Sequence, residues 1–355
     1  MKKERLLMKG NEAIAEAAIR AGCTAYFGYP ITPQNEIIAY MAEHLLEKGR
    51  VFIQAESEIA AINMIYGASA AGARAMTSSS SPGISLKQEG LSYAAGADIP
   101  LVLANMVRGG PGLGSIAPSQ SDYFQATRGG GHGDYRCFVL APKSVQECAD
   151  LTYLAFDLAD QYRMPAIILG DGMIGQMMEA VVLPPERKLE DLPKRNWTVG
   201  RMADRESRHI TSLNLVPEEL EAKTRARFGR YQIIQQQEPR FECIGPADAD
   251  LTIVAYGTSA RVAAGARKLA EQSGFPVRVF RPITLWPFPS AVLKEIGETG
   301  KPILAVEMSL GQLVEDVKLT VLGKSPVHLL GHSGGVIPTE EEVYKEIRRI
   351  LAGNR

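Results

Sequence analysis

The sequence has no excess of charge of either sign and no long hydrophobic run. Its 355 residues include 39 Lys and Arg against 40 Asp and Glu, for a net charge of −1. A chain without a basic excess gives no reason to expect nucleic-acid binding. No window approaches the roughly 18 apolar residues of a membrane-spanning helix. The basic start of the chain is followed by alternating rather than continuous apolar residues, so we expect no signal peptide and predict a cytoplasmic protein that does not bind membranes.

Cysteine is also scarce, and its spacing argues against a metal site. The four cysteines, Cys23, Cys137, Cys148 and Cys243, form no CxxC pair, and none lies at metal-ligand spacing from a histidine. We expect buried free thiols in a reducing compartment, with no metal ion and no iron–sulfur cluster held by this chain. An electron-transfer reaction would then need clusters on another chain.

Two stretches of the chain alternate short apolar runs with helix-period segments, a pattern typical of βαβ units and a mostly parallel sheet. The strand candidates of the first stretch are TAYFGY, VFIQA, ARAMTSS, IPLVLANM, CFVLAP and MPAIILGD. Its predicted helices cover residues 11–22, 33–48, 57–72, 84–96 and 144–162, the first with Asn11 as its N-cap and Gly22 at its end. The second stretch has the strand candidates DLTIVAYG, PVRVFRP, PILAVEM and PVHLLGH, with helices at about 259–273, 289–297, 310–321 and 339–352.

Residues 180–248 interrupt this alternation with Pro184-Pro185, a charged stretch and three consecutive glutamines. We interpret this segment as a connecting arm that could hold a partner, with YQII as a candidate extended strand. The sequence therefore predicts an α/β protein of three parts. These are a parallel-sheet domain at 1–180, the arm at 181–248 and a smaller α/β domain at 249–355.

Parallel sheets bind ligands beyond the C-terminal ends of their strands, so the residues that follow each strand candidate are the candidates for a site. After the first strand, the sequence YPITP places Thr32 between two prolines. Pro33 favours an extended Thr32 and suits the first position of a helix. Thr32 can therefore either cap that helix or face a ligand, and the local sequence alone favours the cap.

Two acidic residues, Glu56 and Glu58, follow the second strand and open a helix rich in small residues. A carboxylate in the first turn of a helix is favoured by the helix dipole without any further role. We expect only one of the two acids to face the sheet, with the other pointing to solvent. The Ala and Gly residues that follow would let another backbone or a partner subunit come close.

Arg108 begins the glycine-rich segment RGGPGLG after the fourth strand. The segment lacks the glycine order of phosphate-binding loops, and a lid that carries one cation for a substrate carboxylate fits it at least as well. A second glycine cluster at 128–134 contains His132, which can be structural or catalytic. We favour the structural interpretation.

The sequence Gly170-Asp171-Gly172, with Asn196 twenty-five positions after Asp171, imitates the GDG…N pattern that binds Mg²⁺ and diphosphate in thiamin-dependent enzymes. That pattern requires a helix and a strand between its two halves. Here the intervening residues contain prolines and charges instead, so we expect that this chain does not hold a diphosphate by itself.

Four segments together resemble the alpha subunit of the 2-oxoacid:ferredoxin oxidoreductases, which are thiamin-diphosphate enzymes divided over several chains. They are GYPITPQNEI at 28–37, ESEIAAINMIYGAS at 56–69, SSSSPGISLKQEG at 78–90 and the Arg108 loop. The resemblance covers nearly the whole chain. It implies a first domain similar to the pyrimidine-binding domain of thiamin enzymes and a last domain similar to the transketolase C-terminal domain.

The resemblance also implies roles for three residues. Glu58 resembles the acid that hydrogen-bonds the aminopyrimidine ring of the cofactor, which makes it the candidate catalytic and cofactor-binding residue. Thr32 and Arg108 resemble the pair that binds the carboxylate of the 2-oxoacid. Glu56 is then expected to matter much less for the reaction, which makes it a control position.

The reaction implied by the resemblance is oxidative decarboxylation of a 2-oxoacid to an acyl-CoA, with coenzyme A as co-substrate. The implied partners are a beta subunit that holds the diphosphate and Mg²⁺ of the shared thiamin diphosphate, a gamma subunit and a ferredoxin-like iron–sulfur subunit, in a dimer of heteromers. GYPITPQNEI looks most like the branched-chain type acting on 3-methyl-2-oxobutanoate, with 2-oxoglutarate next and pyruvate last. A non-catalytic assembly subunit and a decarboxylase without electron transfer are the alternatives.

Overall fold

The computed structural model describes residues 4–202 and 205–353. In chain order its strands are β1 (Leu6–Lys9), β2 (Ala25–Gly28), β3 (Val51–Gln54), β4 (Ala75–Ser79), β5 (Leu101–Val107), β6 (Phe138–Leu140), β7 (Pro165–Asp171), β8 (Met178–Val181), β9 (Gly200–Met202), β10 (Arg205–Arg208), β11 (Phe241–Ile244), β12 (Leu251–Val254), β13 (Val277–Pro282), β14 (Thr284–Trp286), β15 (Ile303–Glu307) and β16 (Val327–Gly331).

The helices lie between these strands. In chain order they are α1 (Gly10–Arg20), α2 (Asn35–Glu47), α3 (Glu58–Ala70), α4 (Ser81–Gly96), α5 (Tyr123–Arg128), α6 (Val145–Tyr162), α7 (Gly172–Gln176), α8 (Pro217–Gln237), α9 (Gly257–Gln272), α10 (Ser290–Gly297), α11 (Leu313–Val321) and α12 (Glu340–Gly353), with a short 3₁₀ turn at Leu189–Asp191. Every strand candidate and every helix predicted from the two alternating stretches overlaps an observed element of the same type. No helix of the described residues is long and apolar enough to cross a membrane.

Two mostly parallel sheets organise the chain. The seven-stranded sheet has the order β14-β6-β7-β5-β4-β2-β3, and the five-stranded sheet has the order β11-β13-β12-β15-β16. Each sheet has one antiparallel strand at an edge, β14 in the first and β11 in the second. The predicted α/β class with parallel sheets is confirmed, whereas the domain boundaries at 180 and 248 stay a prediction.

The seven-stranded sheet contains a strand that the sequence did not predict. Strand β14 comes from the second half of the chain and pairs with β6, with Thr284 opposite Leu140. The arm also packs on the molecule: the ring of Tyr231 in α8 lies 5.3 Å from that of Trp286 in β14. Long-range pairing of this kind leaves no local pattern in the sequence.

Two expectations about the helices were wrong. Helix α1 begins at Gly10, and Asn11 lies inside it, where its side-chain amide donates to the carbonyl of Pro33 at 2.7 Å. The segment YQII is helical rather than extended, because it belongs to α8. The buried residues of that helix, Arg227, Tyr231 and Ile234, follow the spacing of one helical face.

Two smaller expectations also need correction. The side chains of Cys23, Cys137 and Cys148 are buried as expected, but Cys243 is exposed because it lies on the edge strand β11. Helix α2 begins at Asn35 rather than at Pro33, since a turn at residues 32–33 precedes it.

Polar side chains join the two sheets. The buried amide of Gln120 donates to the carbonyl of Tyr256 at 2.8 Å and accepts from the backbone N–H of Met308 at 2.9 Å. Asp171, at the end of β7, accepts from both the N–H and the hydroxyl of Thr258 at the start of α9. The C-terminal edge of the first sheet therefore faces the second sheet.

Candidate functional site

Four neighbouring strands of the first sheet, β3, β2, β4 and β5, end at the same edge and carry the candidate residues. Thr32 follows β2, Glu58 follows β3 and Arg108 follows β5. Between them, β4 leads into the N-terminus of α4. The sequence placed these residues after separate strands, and the parallel sheet brings them to one edge.

The side chain of Glu58 is buried at the start of α3, with 7% of its surface exposed. Ser57 caps this helix by accepting from the N–H of Ala60 at 3.1 Å, so the helix end does not need the Glu58 carboxylate. Glu56, two residues earlier, is exposed, so only one of the two acids is buried, as expected. No described residue donates a hydrogen bond to the Glu58 carboxylate.

The N-terminus of α4 packs closely against the side chain of Glu58. A Cβ atom at Gly83 would lie 2.5 Å from Oε1 of Glu58 and would also collide with the hydroxyl of Ser79, so the backbone can pass here only because residue 83 is glycine. The hydroxyls of Ser79 and Ser80 are buried and have no hydrogen-bond partner among the described residues. Unpaired buried polar atoms are costly unless a ligand or water satisfies them.

One helical turn beyond Gly83, Lys87 is fully buried. Its ammonium group donates to the hydroxyl of Thr77 in β4 at 2.8 Å. Burial lowers the pKa of Lys87 to about 7, and the nearby Glu58 carboxylate opposes that shift.

Arg108 and Thr32 lie together, as the sequence interpretation requires. The Arg108 side chain is buried, and its guanidinium donates to the carbonyl oxygens of Thr32 and Leu113 at 3.0 Å each. Its Nε is buried without a partner among the described residues. The guanidinium is therefore fixed and keeps an unused donor.

The Thr32 hydroxyl does not cap helix α2. The N-cap residue is Gln34, which makes no side-chain capping bond, and the N–H of Gln34 donates to the carbonyl of Ile31 at 3.1 Å. The peptide bond between Thr32 and Pro33 is cis, and the Thr32 side chain is exposed. Between the two interpretations left open by the sequence, the structure excludes the cap.

A cavity of about 400 Å³ opens beside Arg108 between the two sheets. Asp122 is one of its lining residues, and the Asp122 carboxylate accepts from the amide of Asn105 at 2.9 Å. Burial raises the pKa of Asp122. The lining residues are Ser81, Pro82, Ser85, Arg108, Gly110, Pro111, Gly112, Ser121, Asp122, Ser309, Leu310, Gln312 and Ser333.

Two other sequence signals lie outside this edge. The Asp171 carboxylate caps α7 by accepting from the N–H groups of Met173 and Ile174, in addition to its bonds with Thr258. Asn196 is exposed, and its backbone carbonyl accepts from the side chain of Arg208 rather than contributing to a site with Asp171. Asp171 thus links the two sheets through its hydrogen bonds with Thr258.

His132 is exposed, and its carbonyl oxygen accepts from the hydroxyl of Ser92 near the far end of α4. Ser92 lies nine residues from Gly83, which corresponds to roughly 13 Å along a helix. His132 therefore lies away from Glu58.

Sequence reasoning missed Lys87, although a signal was present. Helix α4 buries Ile84, Lys87 and Leu91, which recur at the spacing of one helical face. A lysine within an otherwise apolar stripe is unusual, because lysine is almost never fully buried without a partner. This lysine lies in the segment SSSSPGISLKQEG, where the apolar spacing around it is the signal.

Two family models match the chain. Residues 16–232 match the model described as pyruvate flavodoxin/ferredoxin oxidoreductase, thiamine diphosphate-binding. Residues 249–343 match pyruvate:ferredoxin oxidoreductase core domain II. The second match begins where the second α/β alternation begins.

The chain is similar to curated proteins over most of its length. It is 47% identical to the ketoisovalerate oxidoreductase subunit VorB of Methanothermobacter marburgensis, covering 97% of both chains. It is 41% identical to the 2-oxoglutarate synthase subunit KorA of Archaeoglobus fulgidus, covering 89% of this chain and 91% of that one.

Solved structures show the same fold. A 2-oxoglutarate:ferredoxin oxidoreductase from Magnetococcus marinus, with 2-oxoglutarate, coenzyme A and succinyl-CoA bound, superposes with a TM-score of 0.87 at 28% identity, covering 98% of this chain and 66% of that chain. A split-gene transketolase, 14% identical, has a TM-score of 0.61 and covers 98% of this chain and 99% of that one, and it supports the fold alone.

Proposed function

Because the chain belongs to the 2-oxoacid:ferredoxin oxidoreductase family and is a subunit of such an enzyme, we propose that Glu58, Thr32 and Arg108 form its share of the active site. The proposed reaction is oxidative decarboxylation of 3-methyl-2-oxobutanoate (ketoisovalerate) to an acyl-CoA and CO₂, with electrons passing to ferredoxin. The observation that carries this proposal is a buried Glu58 carboxylate without a hydrogen bond from any described residue, at the same sheet edge as a fixed Arg108.

The residues around Glu58 fit thiamin diphosphate. A carboxylate with free acceptor sites can pair with the ring nitrogen of an aminopyrimidine, and the unpaired hydroxyls of Ser79 and Ser80 provide further donors and acceptors. When bound, thiamin diphosphate supplies a nucleophilic carbon for the 2-oxo group and accepts the electron pair that departing CO₂ leaves. In this proposal the beta subunit holds the diphosphate and Mg²⁺, because Asp171 of the GDG sequence is already hydrogen-bonded.

Glu58 would hold a proton between one of its carboxylate oxygens and the ring nitrogen of the cofactor. Such proton transfer typically contributes a rate factor of about 10²–10⁴. Burial excludes water from the carboxylate and strengthens this hydrogen bond. Glu56 cannot take this role because its side chain points to solvent.

Arg108 and Thr32 would bind the substrate carboxylate. The Arg108 guanidinium is held by two backbone carbonyls and keeps Nε as an unused donor, while the exposed Thr32 hydroxyl is free of a capping bond. A fixed cation is favourable for binding a carboxylate because little side-chain entropy is lost.

The charges that line the cavity beside Arg108 favour an oxoacid with one carboxylate. Arg108 is the only cationic side chain among its described lining residues, and Asp122 is acidic. A second carboxylate, as in 2-oxoglutarate, would have no cation to pair with in this lining. This favours 3-methyl-2-oxobutanoate, in agreement with the substrate named for the VorB relative.

Exposed apolar side chains on β3, α3 and α4 support a partner subunit. They are Val51 and Ile53 of the edge strand β3, Ile59 of α3, and Leu86 and Tyr93 of α4. Exposed apolar side chains that form a shared surface are typical of protein–protein contacts. We propose that the beta subunit covers this surface and completes the site, with gamma and ferredoxin-like iron–sulfur subunits in a dimer of such heteromers. Coenzyme A as co-substrate is supported by the bound molecules of the Magnetococcus structure.

The test is to purify the native complex, identify its chains and metals, and assay ferredoxin or viologen reduction with a panel of 2-oxoacids. We expect the highest kcat/KM with 3-methyl-2-oxobutanoate, formation of an acyl-CoA rather than a free aldehyde, and loss of activity in Glu58→Ala but not in the matched control Glu56→Ala. Preference for 2-oxoglutarate would overturn the substrate assignment. Full activity of Glu58→Ala would overturn the site.

A further inference from the structure

Two side-chain amides that the proposed reaction does not use meet at Pro33, those of Asn11 in α1 and Gln176 in α7. Nδ2 of Asn11 donates to the Pro33 carbonyl at 2.7 Å, and Nε2 of Gln176 donates to the same carbonyl at 3.0 Å. We call these two residues the amide pair. Proline has no N–H, so its carbonyl is the one backbone group through which Pro33 can be hydrogen-bonded. The amide pair therefore holds the Thr32 loop, residues 29–34, at the residue next to Thr32.

Glu36 of α2 joins the amide pair into one network. Its Oε2 accepts from Nδ2 of Asn11 at 2.8 Å and from Nε2 of Gln176 at 2.9 Å, so each amide bridges this carboxylate and the Pro33 carbonyl. The ammonium group of Lys9 donates to the other oxygen of Glu36, Oε1, at 2.9 Å. A side-chain amide has two N–H donors, and both are engaged in each member of the pair. Each amide is thus held in one orientation.

Packing alone does not account for the asparagine at position 11. The Asn11 side chain is fully buried, whereas Gln176 is exposed. Helix α7 lies against both Asn11 and Pro33: a Cβ atom at Gly175 would lie 2.6 Å from Oδ1 of Asn11, and a Cβ atom at Gly172 would lie 3.1 Å from Cγ of Pro33. Oδ1 of Asn11 has no hydrogen-bond partner among the described residues. Burial of an unpaired amide oxygen is costly, so an apolar residue would serve better if the position only filled space.

The rest of the Thr32 loop is also held. The Arg108 guanidinium donates to the Thr32 carbonyl at 3.0 Å. The N–H of Gln34 donates to the carbonyl of Ile31 at 3.1 Å, and the buried side-chain amide of Gln34 donates to the carbonyl of Tyr29 at 3.2 Å. The Thr32 side chain is exposed and takes part in none of these bonds. The backbone around Thr32 is therefore fixed while its side chain stays accessible, which is the arrangement of a preorganised binding group.

We propose that Asn11 and Gln176 are positioning residues, which hold the Thr32 loop so that the Thr32 hydroxyl and the carbonyl bound by Arg108 are in place before the oxoacid binds. The affinity for the substrate carboxylate then depends on two amides that do not touch it. Less entropy is lost when a fixed group binds, so loosening the loop weakens binding without altering the later steps. This inference rests on the proposed substrate role of Thr32 and Arg108.

Asn11→Leu and Gln176→Leu each remove one member of the amide pair. Leucine branches at the same carbon as asparagine, so it can fill the space of Asn11. In either variant the Pro33 carbonyl and the Glu36 carboxylate keep a donor in the other amide, so we expect both proteins to fold. Gln176 is exposed, and Gln176→Leu therefore tests the inference even if Asn11→Leu is unstable.

Gln146→Leu is the matched control. Nε2 of Gln146 in α6 also bridges a backbone carbonyl and a carboxylate, those of Val182 at 2.8 Å and Asp150 at 3.0 Å. Neither partner belongs to the Thr32 loop. Gln146→Leu therefore measures the general effect of losing a bridging amide, and it should change neither the loop nor the binding of the oxoacid.

The first measurement is amide hydrogen exchange in the full chain without partner subunits, read by mass spectrometry on peptides that cover residues 29–37. In Asn11→Leu and Gln176→Leu we expect exchange in these peptides to be at least about threefold faster, because exchange reports local opening. The N–H of Gln34, which is hydrogen-bonded within the loop, is the amide most directly affected. Gln146→Leu should exchange as the unmodified protein does.

The second measurement uses the assembled complex with 3-methyl-2-oxobutanoate. Asn11→Leu and Gln176→Leu should each raise the KM at least about threefold and leave kcat at saturating oxoacid unchanged, because the loss is in carboxylate binding. 3-Methylbutanoate, which has the carboxylate but no oxo group, should weaken as a competitive inhibitor by the same factor. A complex that is merely destabilised would instead lose active enzyme, and so apparent kcat, at an unchanged KM.

A double variant tests whether the amide pair acts through Thr32. Asn11→Leu combined with Thr32→Val should raise the KM by less than the product of the two single effects, because both changes act on the same hydroxyl. A rise equal to that product would show that Asn11 acts elsewhere and would overturn its positioning role. An equal rise of the KM in Gln146→Leu would overturn it as well.

The outcomes separate this inference from the proposed function. Unchanged exchange of the Thr32 loop in both leucine variants, or an unchanged KM in both while Thr32→Val raises it, overturns the role of the amide pair and leaves the proposed function standing. Faster exchange of the loop, together with unchanged KM values in Thr32→Val and Arg108→Lys, supports the amide pair as the group that holds the loop. The substrate role of Thr32 and Arg108 is then what fails.

Discussion

Each of the two parallel sheets has a buried glutamate where a strand gives way to a helix, and the two differ in their hydrogen bonds. Glu307, at the end of β15, is fully buried and accepts from the N–H groups of Gln312, Leu313 and Val314 at 3.0 Å each, and from the hydroxyl of Ser309. Glu58 is almost as buried, but no described residue donates to it.

The difference indicates which buried carboxylate is structural and which is available to a ligand. The Glu307 carboxylate accepts from backbone N–H groups at the N-terminus of α11, so it stabilises the second sheet. At Glu58 the helix is capped by Ser57 instead, and the carboxylate keeps its acceptor sites. Burial alone therefore does not distinguish the two acids, whereas their hydrogen bonds do.

The strongest test of this contrast exchanges each glutamate for glutamine. Glu58→Gln should lower kcat by a factor of about 10²–10⁴, because the proton can no longer be shared, and should leave the melting temperature unchanged. Glu307→Gln should lower the free energy of unfolding by about 2–4 kcal/mol, because one amide cannot replace several charge-assisted bonds. Thermal melting of the chain and viologen-linked assays of the complex measure both effects. Equal destabilisation by the two changes would assign Glu58 to structure.

A smaller effect is expected at Arg108, whose guanidinium donates to two backbone carbonyls. In Arg108→Lys the charge remains but the planar fork is lost. Loss of one charge-assisted hydrogen bond, worth about 1.5–3 kcal/mol, should raise the KM for the oxoacid about 10–100-fold. Arg128→Lys, which changes an arginine bonded to Asp316 outside the cavity beside Arg108, is the control. Equal KM values for both variants would contradict the substrate role of Arg108.

The smallest effect is expected at Thr32, because only its hydroxyl is proposed to bind the substrate. Thr32→Val keeps the backbone carbonyl that accepts from Arg108 and the shape of the side chain. Loss of one neutral hydrogen bond should raise the KM by a factor of about 2–10 without a change in melting temperature. Ser85→Ala removes another hydroxyl, from the lining of the cavity beside Arg108, and should have no effect on KM. A raised KM in Ser85→Ala but not in Thr32→Val would contradict the proposed binding of the substrate by Thr32.

Local patterns predicted the strands and the main helices. These features depend on side-chain periods of two and 3.6 residues, which are written in neighbouring positions. The motifs around Thr32, Glu58 and Arg108 were sufficient for the resemblance to the family. The roles of those three residues stay predictions until the variants are measured.

Other features needed distant contacts. The sequence around Asn11 suggested a helix cap, but its amide bonds Pro33, which is far away along the chain. The segment YQII has the composition of a strand, but it lies in α8, and its buried residues share one helical face with Arg227. Strand β14 owes its place to pairing with β6, 144 positions away at Thr284 and Leu140.

The sequence by itself determined the α/β architecture and the identity of the residues that meet at one sheet edge, because alternating strands and helices force a parallel sheet whose strand ends coincide. Only the tertiary structure decided the surroundings of those residues. It left the Glu58 carboxylate without a hydrogen bond from any described residue, held the Arg108 guanidinium on two backbone carbonyls and buried the side chain of Lys87. Hydrogen bonding and desolvation depend on atoms from several distant segments at once, so no local pattern can specify them.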